Sequence, residues 1–144
     1  MLVVFPDERL RKKSLEVDFS STEELQILIH NMFAVMYQYK GVGLSAIQIG
    51  MPLRVIVADV GKGKEIYFNP KIERIGGIKK FMKEGCLSFP DIFEEVERYS
   101  KITISYQDIN QVNHVVNTGG LRAQMLQHEI EHLDGILLSD KIAR

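Results

Sequence analysis

The chain has 144 residues, of which 45% are hydrophobic and 26% charged, and its 18 basic and 19 acidic residues leave a formal net charge of -1. This length can bury one hydrophobic core without disulfides, and the near-neutral charge gives no overall attraction to nucleic acid or to an anionic membrane. No Pro/Gly/Ser-rich linker or repeat divides residues 1–144. We therefore expect a single domain that works as a monomer, without direct nucleic-acid or membrane partners.

The N-terminal segment and the single cysteine indicate where the protein works. Only about five apolar residues precede Pro6, far fewer than the apolar core of a secretory signal. No run approaches the roughly 18 apolar residues that a membrane span needs. Because one cysteine cannot form an intramolecular disulfide, Cys86 favours a reducing compartment. The sequence therefore predicts a cytoplasmic protein.

The first predicted element is an amphipathic helix. Ser21-Thr22-Glu23-Glu24 has the pattern of a capping box. Apolar residues follow at helical spacing, namely Leu25, Leu28, Met32, Met36 and Tyr39. Lys40-Gly41 predicts the end of the helix, with Gly41 as a residue that can take a left-handed conformation. The glycine-rich residues 41–48 are then expected to lead into an edge strand.

Extended structure is predicted for most of residues 53–117. The β-branched and alternating patterns favour strands at 53–60, 65–69, 72–75, 102–106 and 112–116, with turns at 61–64 and at Gly76-Gly77. A second helix is predicted to follow Gly120 and to end near Leu133, before Asp134-Gly135. This order predicts an α+β fold in which mixed, largely antiparallel β-sheets pack around the second helix.

The second helix carries the most specific chemical signal, an H-E-x-x-H sequence from His128 to His132. A spacing of four residues places both imidazoles on nearly one helical face, where they can bind one metal ion. Glu129 lies beside that face and could exchange a proton with water at the metal without being a ligand. An ordinary pair of helix-surface histidines is an equal alternative on this segment alone.

The apolar residues of the same helix form two stripes. Leu121 and Met125 continue the face of the two histidines and are expected to line a pocket. The other stripe is expected to pack into the core and contains Leu126, Ile130, Leu133 and Leu137.

A third metal ligand is needed, because a catalytic zinc-type site usually has three protein ligands. The acidic residues after His132 are Asp134 and Asp140. Cys86 is the better candidate, because a thiolate binds soft and borderline metals. Taken alone, however, a single cysteine is more often a small buried hydrophobic residue.

Three segments in chain order together resemble the signature of peptide deformylases. They are Gly41-Val42-Gly43-Leu44-Ser45-Ala46-Ile47-Gln48, Glu84-Gly85-Cys86-Leu87-Ser88 and Gln127-His128-Glu129-Ile130-Glu131-His132. The resemblance extends to residues 6–11, 69–70 and 133–135 and so covers nearly the whole chain. It implies removal of the formyl group from the initiator methionine of nascent polypeptides, with release of formate.

The resemblance also implies a role for each matched residue. Cys86, His128 and His132 would hold the metal, and Glu129 would be the general acid and base. The Gln48 side chain and the Leu87 backbone N–H would stabilise the oxyanion. The residues implied to bind substrate are Val42, Gly43, Glu84, Leu121 and Met125. Family members characteristically use Fe²⁺ and can work with Ni²⁺, Co²⁺ or Zn²⁺, so we expect one divalent ion, with Fe²⁺ favoured.

Three details refine the comparison with the family. Ser45 stands where the family usually has alanine, a small change that should be tolerated beside the peptide groove. Glu131 is expected to pair with Arg98, with a solvated salt bridge as the equal alternative. Many bacterial members continue into a long C-terminal helix, whereas this chain stops at Arg144, which puts ribosome attachment in doubt and leaves transient association as the expectation. A bacterial, phage-encoded or organelle-derived member would fit.

Two other functions stay open at this point. The same H-E-x-x-H helix occurs in metallopeptidases that cleave internal or terminal peptide bonds. A catalytically inactive relative could instead bind formyl-methionyl peptides without turnover. The first predicts cleavage of unformylated peptides, and the second predicts binding alone.

Overall fold

The computed structural model describes residues 1–141, and the last three residues, including the chain end at Arg144, lie outside the described part. Its main elements in chain order are α1 (Thr22–Gln38), β1 (Gly43–Ser45), β2 (Val55–Ala58), β3 (Glu65–Cys86), β4 (Phe89–Gln107), β5 (Asn113–Gly119) and α2 (Gly120–Leu133). Short 3-10 helices lie at Glu8–Arg11, Ala46–Ile49 and Leu138–Lys141. Within residues 1–141, none of the helices has the length and apolar character that crossing a membrane requires.

The five strands form one sheet in the order β1-β2-β3-β4-β5, and each neighbouring pair is antiparallel. The predicted α+β class is confirmed. The strands join in a single sheet, and a parallel pairing is present in one isolated bridge between Leu15 and Leu53. Because β1 pairs with β2 alone among the named strands, it is an edge strand, as the sequence predicts.

Strand β2 shows how the sheet holds both helices. All four of its residues are buried, and successive side chains of a strand point to opposite faces. Val55 and Val57 join the core that contains α1. Ile56 and Ala58 join the core that contains α2. The sheet therefore lies between the two helices, and α2 is fixed against one face.

The predicted first helix is present, but its end differs from the expectation. Ser21 Oγ caps α1 by accepting a hydrogen bond from the Glu24 backbone N–H at 3.3 Å. The left-handed residue after the helix is Lys40, with a φ of 58°, rather than Gly41. Gly41 instead packs against Leu87, whose side chain would have to move for a larger residue, because a Cβ there would lie 2.6 Å from Leu87 Cδ1.

The predicted turn at Gly76-Gly77 is wrong. β3 continues through both glycines, and the pairing register with β4 shifts between Gly76 and Lys79. Gly77 has a φ of 67°, and a left-handed glycine suits a β-bulge as well as a turn. The chain instead reverses at Leu87-Ser88, between β3 and β4. This long hairpin places Cys86 and Leu87 at its tip.

Candidate active site and metal centre

Helix α2 and the tip of the β3–β4 hairpin bring the three predicted metal ligands together. One ligand atom from each of Cys86, His128 and His132 lies within 4.8 Å of the others. His132 Nε2 is 3.2 Å from Cys86 Sγ. A thiol and two imidazoles at these separations fit one divalent transition metal ion.

The two histidine rings have different surroundings. His128 Nδ1 lies 3.0 Å from Glu84 Oε1, and a carboxylate on this nitrogen leaves Nε2 available as a metal ligand. Burial lowers the pKa of His132 well below its usual value, which keeps that ring neutral. Burial also opposes protonation of His128, but hydrogen bonds with Cys86 and Glu84 outweigh it and raise the pKa of His128 well above its usual value. A metal ion bound by His128 would displace a proton.

A buried network of ion pairs holds Glu84, which contacts His128. Arg98 is 3% exposed, and its Nε and Nη2 donate to the two oxygens of Glu84 at 2.6 and 2.8 Å. Arg98 Nη1 donates to Glu131 Oε1 at 2.7 Å, which is the pair expected from the sequence. Burial acts to raise the pKa of Glu84, but the bonds from Arg98 and His128 outweigh it and lower that pKa to about 2. Glu84 is therefore ionised at neutral pH.

Glu129 is buried beside the three predicted ligands but is not one of the clustered donors. Its Oε1 lies 3.0 Å from Ser45 Oγ. Burial raises the pKa of Glu129 above its usual value, although the charge of His128 and the hydrogen bond from Ser45 oppose the rise. A carboxyl group with a raised pKa is suited to both accept and return a proton near neutral pH.

Gln48 lies in the 3-10 helix Ala46–Ile49 and is 1% exposed. Its Oε1 accepts a hydrogen bond from the Ser45 backbone N–H at 2.9 Å, and its Nε2 donates to Ser88 Oγ at 3.0 Å. The same Nε2 is 3.9 Å from Cys86 Sγ. The amide nitrogen of Gln48 thus lies on the side of Cys86.

A cavity of about 510 Å³ opens onto this cluster. It is lined by Cys86, Leu87, His128 and Glu129, and by every residue that the sequence analysis assigned to substrate binding: Val42, Gly43, Glu84, Leu121 and Met125. Leu121 is half exposed, whereas Met125 is buried. A Cβ on Gly43 would lie 2.7 Å from Met125 Cγ, so a larger residue there would push into the cavity wall.

Sequence reasoning missed three kinds of contribution. It treated Ser45 only as a tolerated change, although Ser45 contacts Glu129. It gave no role to Ser88, whose hydroxyl accepts from Gln48 and donates to the Val3 carbonyl oxygen at 2.7 Å. It also missed Ile92 and Phe93 in the cavity wall. These contacts join distant parts of the chain, and no spacing pattern in the sequence could reveal them.

Comparisons with known proteins show that the chain is similar in sequence to peptide deformylases. The sequence model of the polypeptide deformylase family matches residues 1–144. A peptide deformylase of Rhizobium meliloti is 41% identical over 148 residues, covering 99% of this chain and 84% of the relative. One of Bartonella tribocorum is 43% identical over 150 residues, with the same coverage of each.

Solved structures of similar proteins cover the full chain. The crystal structure of peptide deformylase from Thermotoga maritima has a TM-score of 0.94 at 39% identity and covers 100% of this chain and 97% of its own. The peptide deformylase from Synechococcus elongatus, solved in complex with actinonin, has a TM-score of 0.95 at 36% identity and covers 100% and 79%. Sequence and backbone geometry therefore agree on one family.

Proposed function

We propose how this chain, which belongs to the peptide deformylase family, removes the formyl group from N-formylmethionyl peptides. The proposal rests on one observation: three donors suited to a metal lie close together, and two of them line one cavity with a buried carboxyl group. The donors are Cys86, His128 and His132, and the carboxyl group belongs to Glu129.

The three donors would hold one divalent ion. When bound, such an ion would make a nearby water more acidic and polarise the formyl oxygen. Fe²⁺ is the proposed resident ion, and Ni²⁺, Co²⁺ and Zn²⁺ are alternatives that a thiolate and two imidazoles also accept.

The groups around the donors transfer the proton and stabilise the negative charge. Glu129 takes the proton from the water that attacks the formyl carbon and later delivers it to the leaving amine. The negative charge that develops on the formyl oxygen needs preorganised donors. Gln48 Nε2, held toward the site by Ser45 and Ser88, and the backbone N–H of Leu87 supply them.

The edge strand β1 and the cavity determine how the peptide binds. An extended peptide can pair with the outer edge of β1, and Gly43 allows the close approach because it has no Cβ. The methionine side chain then occupies the cavity against Val42, Leu121 and Met125. Glu84 contributes to the same wall while it holds His128.

Cytoplasmic location and action as a monomer belong to the same proposal. N-formylmethionyl peptides emerge from ribosomes, so a transient association there would bring enzyme and substrate together. The Cys86 thiol needs a reducing compartment to serve as a metal ligand. A bacterial cytosol, the host cytosol for a phage-encoded copy, or an organelle would each meet that condition.

Formate release tests the function directly. We expect protein prepared anaerobically and loaded with Fe²⁺ to release formate from a formyl-Met tripeptide and to leave the unformylated peptide intact. The same protein loaded with Zn²⁺ is the comparison for the choice of metal. Cleavage of the unformylated peptide would indicate a metallopeptidase, and binding without turnover would indicate an inactive relative.

Metal content tests the proposed ligands. Cys86→Ala is expected to weaken divalent-metal affinity at least about 100-fold. Removing a residue that only hydrogen-bonds a metal ligand already costs about 10- to 100-fold, and removing a ligand itself should cost more. The readout is metal per chain after dialysis, with circular dichroism to show an intact fold. His114→Ala is the control, since His114 pairs with Asp108 outside the cluster. Equal metal retention in Cys86→Ala and the control would exclude Cys86 as a ligand.

A further inference from the structure

Ser45 connects the edge strand to the helix that carries Glu129. It is fully buried at the end of β1, and its Oγ lies 3.0 Å from Glu129 Oε1 and 2.9 Å from the Glu129 carbonyl oxygen. The two residues are 84 positions apart in the chain. One hydroxyl therefore contacts both the main chain and the side chain of the proposed proton carrier.

The two carboxyl oxygens of Glu129 have different surroundings. Oε1 is held by Ser45, whereas Oε2 lies on the side of Gly43, 3.2 Å from where a Cβ of that glycine would be. Gly43 lines the cavity in which the peptide is proposed to bind. Ser45 thus holds Oε1 and leaves Oε2 on the side of Gly43.

We propose that Ser45 is a positioning residue that orients the Glu129 carboxyl group for proton transfer, an inference that rests on the proposed role of Glu129. The Ser45 hydroxyl carries one proton, and two oxygen atoms of Glu129 lie within hydrogen-bond distance of it. It donates to Oε1 when the side chain is a carboxylate. When the proton lies on Oε2, the hydroxyl can still donate to Oε1 or to the carbonyl oxygen. Glu129 therefore stays oriented in both halves of the reaction.

The main chain of Ser45 has a separate task. Its N–H donates to Gln48 Oε1 at 2.9 Å. Ser45→Ala removes the hydroxyl but keeps this N–H, so the hydrogen bond that holds the Gln48 side chain is retained. The Ser45 side chain also takes part in a capping box with the Gln48 backbone, so the double variant described below assigns a loss of rate to Glu129.

Ser45→Ala is expected to lower kcat for deformylation about three- to tenfold, the effect of one lost hydrogen bond on a positioned group. KM, metal content and the visible absorption spectrum of the Co²⁺ form should be unchanged. Ser14→Ala is the matched control, because Ser14 is also buried and its hydroxyl has no partner within residues 1–141. Wild-type kcat in Ser45→Ala, or a fall in metal content that accounts for the loss, would overturn the inference.

A double variant separates this inference from the proposed function. If Ser45 acts through the carboxyl group, adding Ser45→Ala to Glu129→Gln should lower the residual rate less than twofold. A full three- to tenfold loss in both backgrounds would show that Ser45 acts elsewhere and would overturn the inference. If Glu129→Gln alone retains wild-type activity, the proposed role of Glu129 fails, and this inference fails with it.

Discussion

Glu129→Gln is expected to lower kcat for deformylation by about 10³-fold while one metal ion per chain stays bound. Glutamine has nearly the same size as glutamate but cannot carry the proton, and a lost general acid and base typically costs about 10² to 10⁴ in rate. The metal should remain because Glu129 is not among the three clustered donors. Formate release and metal analysis on the same preparation provide the two measurements.

Glu131→Gln is the matched control for this variant. Glu131 lies two residues further along the same helix and pairs with Arg98 at 2.7 Å and with Lys141 Nζ at 3.0 Å. Neither of its partners is a metal ligand, so this variant should retain most of the wild-type rate. A comparable loss in both variants would mean that the helix tolerates no neutral residue here, and the specific role of Glu129 would be refuted.

By itself, the sequence predicts the part of the site that lies on one helix. His128 and His132 share a helical face because their spacing of four residues nearly matches one turn, and the structure places their rings 4.9 Å apart. Cys86 lies 46 residues from His132. No periodicity relates two residues so far apart, and the thiol was assigned to the histidines from the metal preference of a thiolate and from the resemblance to a family.

The fold shows the same limit. Both helices are found where they are predicted, because apolar spacing and the Ser21 cap of α1 act within a few residues, although the left-handed residue after α1 is Lys40 and not the predicted Gly41. The Gly76-Gly77 turn failed because glycine is equally suited to a bulge. Which of the two forms depends on whether β4 continues alongside β3, and that pairing is a tertiary interaction that residues 72–80 do not encode.

Arg98→Leu is expected to lower the free energy of unfolding of the metal-free protein by about 3–5 kcal/mol at pH 7. Arg98 is almost completely buried and neutralises Glu84, which is also buried, with two hydrogen bonds. Leucine fills part of the space but leaves that carboxylate without its main partner, and removing one member of a buried pair costs about this much. Urea denaturation without metal avoids the added stabilisation from ligand binding.

The pH dependence identifies Glu84 as the origin of this loss. In the wild type, the pKa of Glu84 is lowered from 4.5 to about 2, so its contribution to stability is present above pH 4.5 and is lost as the pH falls toward 2. Without Arg98 the folded-state pKa rises, and protonation removes the uncompensated charge. The difference between Arg98→Leu and wild type should therefore shrink between pH 7 and pH 4. Arg11→Leu is the control, because it breaks a more exposed pair with Asp140, and it should have a much smaller effect at pH 7. A loss of unfolding free energy in Arg98→Leu that does not change with pH would contradict the assignment to Glu84.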